Sequence, residues 1–260
     1  MGKIISVVNQ KGGVGKTTTS VNISACLSVL EKRVLLIDLD PQSNATTGLG
    51  INKEDCEFSV YDLLVEEDGT EEGSFSFKRS IKKTDLPYMF VLPSNNDLVS
   101  AEFALFKMIS RETRLKQKIS KVKDKFDYII IDCPPSLGLL TINALSASDS
   151  VLIPIQCEYY ALEGLAELLN TIRVIKKTLN NDLQIEGALL TMYDPRLNLS
   201  KQVKEEVENH FSGNVFKTII NRNVKLSEAP SFGKPIIKYD IKSAGSENYM
   251  SLAKEIVDGV

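Results

Sequence analysis

The stretch that decides the fold is Lys11-Gly-Gly-Val-Gly-Lys-Thr-Thr18, which directly follows an apolar run containing Ile4, Ile5, Val7 and Val8. A glycine-rich loop between a strand and a helix lets backbone N–H groups close around a polyphosphate. In such a loop Lys16 reaches the β- and γ-phosphates, the Thr17 hydroxyl holds Mg²⁺, and the following helix adds the positive end of its dipole. Residues 11–18 therefore predict a phosphate cradle.

The phosphate cradle departs from the usual pattern at its head. The motif G-x-x-x-x-G-K-[ST] requires a glycine at the position that Gln10 occupies here. A second lysine, Lys11, comes next. Taken by itself, Lys11 is open to two interpretations, a solvated loop residue or a cation with a role in the site.

Carboxylates end two further apolar runs. Asp38 and Asp40 follow one Val/Leu/Ile run, and Asp132 closes another. A strand-end carboxylate beside a phosphate loop can bind Mg²⁺ through water. Alternate residues of a strand face the same side, so Asp38 and Asp40 are both expected to face the nucleotide. The competing interpretations are a cap before Pro41 for Asp40 and a turn cap for Asp132.

The composition is that of an ordinary globular protein. Of the 260 residues, 43% are hydrophobic and 25% are charged, with a net charge of −3. This charge provides no global attraction to nucleic acid or anionic lipid, so any such binding needs a local patch. The four cysteines form no C-x-x-C pair and are expected to be reduced thiols of a cytosolic protein. No run approaches the ~20 apolar residues of a membrane span.

Short apolar runs alternate with helical patterns along the chain. Most of the runs are continuous in Val, Ile and Leu, which is typical of parallel strands covered on both faces. The pattern predicts one α/β domain over residues 1–260, with a doubly wound, mostly parallel sheet and helices on both faces. Residues 66–85 are expected to be a solvated excursion. Strands are predicted at 3–8, 33–38, 88–92, 127–132, 150–155, 185–192 and 215–220, and helices at 16–31, 59–65, 97–108, 111–125, 139–147, 158–179, 199–211 and 245–257.

Three of these motifs together resemble the ParA/MinD class of P-loop ATPases. The phosphate cradle is similar to the deviant loop K-G-G-x-G-K-[ST]-T of that class. Asp38-Leu-Asp-Pro-Gln42 is similar to its D-x-D-P-Q segment, and Tyr128–Pro135 to its Walker B strand. The resemblance runs from Lys3 to about Ala253. Within the class it is strongest to the short chromosome-partitioning ParA proteins called Soj, through residues 156–164, 226–230 and 233–235.

The resemblance implies a slow ATPase that uses ATP and Mg²⁺. Lys11 is expected to cross the interface of an ATP-sandwiched homodimer and contact the partner's nucleotide, as an arginine finger does. Asp40 is expected to position the attacking water and Asp38 to support the Mg²⁺ shell. The implied catalytic residues are Lys11, Lys16 and Asp40; the nucleotide-binding residues are Lys11, Gly12, Gly13, Gly15, Lys16, Thr17, Thr18, Asn221 and Asn223; and the metal-binding residues are Thr17, Asp38 and Asp132.

The adenine contact is implied by one segment. Members of the class use Pro-x-Asn after a late strand, and this chain has Asn221-Arg222-Asn223. Asn223 matches the pattern, and its amide could hydrogen-bond adenine. Asn221 stands at the usual proline position, which leaves the packing of the ring open.

The resemblance also implies partners. The ATP dimer is expected to bind double-stranded DNA without sequence preference, and a ParB-type partner is expected to stimulate hydrolysis and release. This cycle would segregate chromosomes or plasmids in the cytoplasm, on the nucleoid. The DNA-binding candidates are Arg196, Arg222, Lys225 and Lys242, with scattered solvated cations as the competing interpretation. The basic residues from Arg111 to Lys125 are expected to be a solvated helical surface.

The alternative function is a MinD-like ATPase that works at a membrane surface. Such proteins end in an amphipathic membrane-binding helix. Here the last twelve residues, Tyr249–Val260, contain Glu255, Asp258 and a single lysine, a poor composition for an anionic membrane. We therefore expect this segment to pack on the sheet, and we expect no membrane partner.

Overall fold

Seven strands form one sheet in the computed structural model, which describes residues 2–66, 77–158 and 163–259. The strand order is β3-β4-β2-β5-β1-β6-β7, and every neighbouring pair is parallel except β3 with β4. The mostly parallel α/β sheet is thus confirmed. The strands are β1 Lys3–Val7, β2 Val34–Asp38, β3 Lys82–Lys83, β4 Met89–Leu92, β5 Tyr128–Asp132, β6 Ser150–Gln156 and β7 Gln184–Thr191.

Twelve α-helices are seen in the described ranges, with short 3₁₀ turns between some of them. The α-helices are α1 Lys16–Val29, α2 Asn44–Gly48, α3 Val60–Val65, α4 Phe77–Ser80, α5 Ala101–Phe106, α6 Arg114–Ile119, α7 Leu139–Ala147, α8 Glu163–Thr178, α9 Asn198–His210, α10 Val224–Glu228, α11 Ile236–Tyr239 and α12 Ala244–Asp258. The 3₁₀ turns are Lys53–Asp55, Asn96–Ser100, Lys123–Lys125 and Ala229–Phe232. The predicted helix over 158–179 is described from Glu163 onward, since residues 159–162 lie outside the described ranges.

The sheet has a hydrophobic core on each face. Successive side chains of β1 alternate between them: Ile4 belongs to one core, and Ile5 and Val7 belong to the other. The first core also holds the buried side chains of α3 and α5–α9, and the second holds those of α1 and α12. Fully burying one Leu or Ile side chain stabilises the fold by roughly 1.5–3 kcal/mol, so covering both faces requires the continuous apolar strands seen in the sequence.

The functional residues meet because of the strand register. Val7 at the end of β1 pairs with Asp132 of β5, and Asp38 at the end of β2 pairs with the same residue. In parallel strands the carboxyl ends lie at one edge of the sheet, where α/β proteins bind their ligands. The segment after β1, the phosphate cradle, therefore lies beside both carboxylates.

The predicted strand over residues 215–220 is wrong as a continuous strand. The segment runs beside β7 but forms only isolated parallel bridges, at its first residue and just past its end. In between, the N–H groups of Lys217 and Thr218 donate to the Glu255 carboxylate of α12, over 2.7 and 3.0 Å. The N–H groups of Phe216 and Ile220 donate to β7 carbonyls, and in an extended segment the Thr218 N–H faces the same side. Because the Glu255 carboxylate takes the Thr218 N–H, the ladder with β7 is interrupted there.

The solvated excursion expected over residues 66–85 contains two short elements that the sequence did not predict, although most of its described residues are exposed or half-buried. Residues 67–76 lie outside the described ranges. Phe77–Ser80 form α4, and Lys82–Lys83 form the short antiparallel edge strand β3 against β4. The two residues of β3 were missed because so short a strand leaves no periodic pattern.

The basic residues from Arg111 to Lys125 are not all solvated, contrary to expectation. Only α6 and a 3₁₀ turn form there, and Arg114 and Lys118 are buried. Arg114 Nε donates to the Leu64 carbonyl over 3.0 Å, and Lys118 Nζ lies 3.3 Å from a Glu66 carboxylate oxygen. Carbonyl groups at a helix end lack partners within the helix, so these cations stabilise the end of α3.

The C-terminal helix α12 packs onto the domain as expected. Its buried face consists of Tyr249, Leu252, Ala253 and Ile256. The Tyr249 hydroxyl and the Thr19 hydroxyl of α1 are 3.1 Å apart. The apolar side of α12 is thus used inside the fold. Among the described residues, no helix is long and apolar enough to cross a membrane.

Candidate nucleotide-binding site

The phosphate cradle is open on its ligand side. Gly13 and Gly15 have φ angles of 75° and 90°, a left-handed conformation that side chains strain. A Cβ built on Gly12 or Gly13 meets no atom within 4 Å. At Gly15, which precedes α1, no side chain caps the helix, and its first turn holds no acidic residue. The N–H groups there are available to an anion.

Lys16 is a nearly buried cation at the base of the phosphate cradle. It is 7% exposed, and its Nζ donates to the backbone carbonyl of Lys11 over 3.1 Å. Burial lowers the pKa of Lys16, while the charges of Asp132 and Asp40 oppose that shift. A positive charge in this water-poor position interacts strongly with an anion placed in the cradle.

Asp132 is fully buried beneath the start of α1. Its two oxygens accept hydrogen bonds of 2.8 Å from the hydroxyls of Thr17 and Ser20. Burial raises the pKa of Asp132, and the nearby charge of Asp38 raises it further. Sequence reasoning missed Ser20, although its helical spacing from Thr17 places it on the same side of α1.

Asp38 is also fully buried, but its carboxylate is already occupied. One oxygen accepts from the backbone N–H of Thr46 at 2.8 Å and from the Thr46 hydroxyl at 2.6 Å. The other accepts from the backbone N–H of Asp40 at 3.2 Å. Burial raises the pKa of Asp38 against these hydrogen bonds. Asp38 thus organises the loop between β2 and α2.

Asp40 lies in that loop and is 7% exposed. One carboxylate oxygen of Asp40 accepts a hydrogen bond from the Gln42 N–H over 2.9 Å. Asp40 therefore caps the turn at Pro41, which was one of the two interpretations of this residue. No hydrogen bond reaches its other oxygen within the described ranges. The backbone carbonyl of Asp40 accepts from the Ser94 hydroxyl over 2.9 Å, and the Ser94 N–H donates to the Thr46 hydroxyl over 3.0 Å. Sequence reasoning missed Thr46 and Ser94, which no motif marks.

Lys11 stands at the rim of the phosphate cradle. Its backbone N–H donates to the Asn9 side chain over 2.9 Å, and Asn9 in turn donates to the Pro154 carbonyl over 2.6 Å. These bonds fasten the loop head to β6. The Lys11 side chain points to Glu158, and its Nζ lies 3.6 Å from a carboxylate oxygen of that residue. Neither Asn9 nor Glu158 was predicted.

A cavity of about 340 Å³ adjoins the cradle. Asn221 and Asn223 both line it, together with Gly15, Thr18 and Tyr249. The Asn223 side-chain oxygen accepts from the Lys225 N–H over 2.8 Å and caps α10. The amide oxygen of Asn223 is therefore engaged, and its amide nitrogen is the group left to face a base.

The four predicted DNA-binding cations lie in or beside the loops after β7 and around α10 and α11, and acids pair with most of them. Arg196 forms a bidentate pair with Asp194, over 2.9 and 2.7 Å. These hydrogen bonds lower the pKa of Asp194 to about 2. Lys225 lies 3.1 Å from Glu228, Arg222 lies 3.7 Å from Glu158, and no acid pairs with Lys242 in the described part of the chain. DNA would have to displace these acids.

Within the described residues, the four cysteines belong to no cluster that could hold a metal ion. All four are free and buried, as expected of reduced thiols. Cys133 follows Asp132 directly, and burial raises the pKa of its thiol. It is therefore kept as an uncharged core residue.

A family model described as an AAA domain matches residues 2–185. The sporulation initiation inhibitor protein Soj of Bacillus subtilis is 60% identical over 256 residues, which are 98% of each chain. The chromosome partitioning protein ParA of Myxococcus xanthus is 52% identical over 257 residues, 99% of this chain and 88% of the relative.

Solved structures agree with the sequence relatives. Cobyrinic acid a,c-diamide synthase from Mycobacterium smegmatis, with bound ATP analog and magnesium, has a TM-score of 0.85 at 36% identity, over 99% of this chain and 95% of that one. The cell division ATPase MinD of Pyrococcus furiosus has a TM-score of 0.80 at only 28% identity, over the full length of both. The P-loop fold is confirmed, and the MinD-like alternative is the more distant relationship. This chain belongs to the Soj/ParA family of chromosome-partitioning ATPases.

Proposed function

We propose that this protein is a ParA-type partition ATPase that works as an ATP-sandwiched homodimer. The dimer binds DNA without sequence preference, and hydrolysis stimulated by a ParB-type partner releases it. The observation that carries the proposal is the phosphate cradle, in which Lys16 is buried close to Asp132 and Asp40 while the Lys11 side chain is partly exposed. We infer that residues 1–260 act as one domain, a view supported by the packing of α12 against α1.

The residues of the site fit ATP with Mg²⁺. Gly12 and Gly13 offer a surface that any side chain would fill, and Lys16 has only a loop carbonyl as its hydrogen-bond partner in the described chain. Thr17, with Asp132 behind it, would hold Mg²⁺, which would help to neutralise negative charge on the phosphates. Gly15 and Thr18 would receive phosphate oxygens through backbone N–H groups, while Asn221 and Asn223 would flank the base.

Thr17 is the residue that would contact the metal directly. Because its hydroxyl hydrogen points to Asp132, the lone pairs of the oxygen are free for a cation. Asp132 then acts through Thr17 and through bound water. Asp38 supports the metal shell by its charge beside Asp132 and by the loop that it organises around Thr46.

Asp40 is proposed to position the attacking water. The Gln42 N–H and the Ser94 hydroxyl hold its carboxylate and its backbone, and one carboxylate oxygen is left to accept a hydrogen bond. A carboxylate is a weak base, so its contribution is the orientation of water rather than a large proton affinity.

Asp40→Ala should retain ATP binding and the ATP dimer and lose hydrolysis. We expect a fall in turnover of roughly 100-fold, since misplacing the nucleophile alone has such an effect. Phosphate release and light scattering on the same sample measure both quantities. Asp182→Ala, which removes an exposed carboxylate at the opposite edge of the sheet, is the matched control. Parental turnover in Asp40→Ala would remove Asp40 from the mechanism.

We propose that Arg196, Arg222, Lys225 and Lys242 contact DNA phosphates. Two observations support the proposal. Arg196 and Arg222 are both close enough to Asp194 to lower its pKa. Lys225 lies over the ring of Tyr239, and Lys242 follows Tyr239 by three positions in the sequence. Dimerisation doubles the number of cations, and phosphate contacts make binding salt-dependent. We accordingly place the protein in the cytoplasm, on the nucleoid, with a ParB-type protein as its partner.

Arg196→Ala combined with Lys225→Ala should weaken DNA binding equally on any duplex sequence. Each lost phosphate contact reduces the slope of log K against log salt by about 0.9, so the slope should fall by about 2 per protomer. Co-sedimentation with ATP over a salt series measures it. Lys116→Ala with Lys125→Ala removes two exposed lysines elsewhere and should leave the slope unchanged.

Two results would contradict the DNA proposal. The first is a parental salt slope in the Arg196→Ala, Lys225→Ala variant. The second is ATP-dependent co-sedimentation of the parental protein with anionic vesicles but not with DNA, which would favour the MinD-like alternative. The packing of the apolar face of α12 inside the fold opposes that alternative.

A further inference from the structure

Glu158, the second residue after β6, lies between two cations from separate parts of the chain. One of its carboxylate oxygens is 3.6 Å from Lys11 Nζ at the rim of the phosphate cradle. The other is 3.7 Å from an Arg222 guanidinium nitrogen in the loop that borders the base cavity. The carboxylate thus joins the two segments that flank the proposed nucleotide site.

The carboxylate is held in this orientation. The Gln156 side chain donates to the oxygen that faces Arg222, over 2.6 Å. This hydrogen bond and the Arg222 pair fix one oxygen and leave the other directed at Lys11. No second acid lies within ion-pair distance of Lys11 in the described chain, so Glu158 is its counter-ion there.

We propose that Glu158 is an internal competitor for Lys11 and thereby sets the ATP concentration at which the dimer forms. The inference rests on the proposed function, because it requires Lys11 to contact the partner's nucleotide. The proposal requires that the Lys11 ammonium leaves its position beside Glu158, 3.6 Å away in the same chain, when it reaches a phosphate of the neighbouring protomer. Each Lys11 therefore has to leave Glu158 before it reaches across, and a dimer requires this of both protomers.

The size of the effect follows from exposure. The side chains of Lys11 and Glu158 are 35% and 46% exposed, so water screens the pair and it contributes modestly. Each pair should change the dimerisation equilibrium by roughly twofold to fivefold, and the two factors multiply because a dimer breaks two pairs. Since the dimer binds two analogue molecules, the analogue concentration at half-dimerisation shifts by the square root of that product, again roughly twofold to fivefold. Added salt should reduce the effect, because the screening length falls from about 10 Å at 0.1 M to about 3 Å at 1 M.

Glu158→Gln tests the proposal, since it removes the charge and keeps the size and the polar contact to Gln156. The full-length protein is titrated with a non-hydrolysable ATP analogue at low and at high salt, and sedimentation gives the analogue concentration at half-dimerisation. Glu167→Gln is the matched control, because it removes an exposed carboxylate from α8 that pairs with neither Lys11 nor Arg222. ADP affinity, measured on the same samples, shows whether nucleotide binding within a single protomer is unchanged by the substitution.

The expected result is a half-dimerisation concentration at least about twofold lower in Glu158→Gln than in the parent and the control, with a smaller difference at high salt and unchanged ADP affinity. An unchanged half-dimerisation concentration in Glu158→Gln would show that Glu158 is only a surface counter-ion of Lys11, which overturns the proposal. A higher midpoint would mean that Glu158 supports the dimer, which also overturns the proposal. A parental protein that stays monomeric with the analogue would contradict the proposed function itself, and the inference with it.

Discussion

Lys16→Ala should lose tight nucleotide binding, with an affinity for ATP and ADP at least about 100-fold below the parental value. The ammonium is 7% exposed, and its partner in the structure is a loop carbonyl. A charge-assisted contact at a site shielded from water contributes about 3 kcal/mol, which corresponds to this factor. Removing an ammonium whose burial lowers its pKa should not destabilise the fold, because no buried ion pair is broken.

Calorimetry with ADP measures the affinity of Lys16→Ala, and thermal unfolding without nucleotide reports on the fold. The matched control is Lys11→Ala, which removes the other lysine of the phosphate cradle and should retain ADP affinity. Parental affinity in Lys16→Ala would refute the assignment of residues 11–18 as a phosphate cradle. Equal losses in both variants would show that the two lysines do not have the separate roles proposed for them.

Lys11→Ala should remain a monomer at saturating ATP and lose cooperative DNA binding. Its side chain is paired with Glu158 and forms no hydrogen bond or ion pair with Lys16, Thr17 or Asp132. The substitution therefore leaves the residues that bind nucleotide within one chain unchanged. We expect it to weaken formation of the ATP dimer instead. A cation supplied across an interface increases turnover by ~10³ or more in related phosphoryl-transfer enzymes, so ATPase activity should fall to a comparable extent.

The mass of Lys11→Ala in saturating ATP is the decisive measurement, with Lys116→Ala as a control for the loss of one exposed lysine. A hybrid gives a sharper check. In a mixture with Lys16→Ala, the Lys16→Ala protomer supplies an intact Lys11 to the nucleotide that the Lys11→Ala protomer binds. Partial recovery of hydrolysis in the mixture would confirm action in trans. A stable Lys11→Ala dimer with parental turnover would make Lys11 a solvated loop residue.

The phosphate cradle and the strand-end carboxylates could be predicted because their signals are local. A loop with glycines at residues 12, 13 and 15 followed by Lys16 has few structures open to it, and the left-handed φ angles at Gly13 and Gly15 show why glycine is required there. Continuous apolar runs likewise indicated strands covered on both faces, and β1, β2 and β5 are buried as expected.

Other features depend on contacts between residues far apart in the chain. Ser94 reaches the Asp40 carbonyl across 54 positions, and Thr46 is held between that serine and Asp38. The strand expected at 215–220 was lost to a hydrogen-bond competitor, Glu255, from another helix. A single sequence contains no periodic signal for such pairs, because each depends on how whole elements pack.

The sequence by itself determined the kind of site, a phosphate cradle with two lysines and carboxylates at neighbouring strand ends. It did so because backbone conformation and side-chain spacing are local properties. Only the tertiary structure decided how each charge is used: Asp38 is engaged by Thr46, Asp132 is bound to Thr17 and Ser20, and Lys11 faces Glu158. The physical reason is that burial and the competition between partners for one charged group arise only when distant segments pack together.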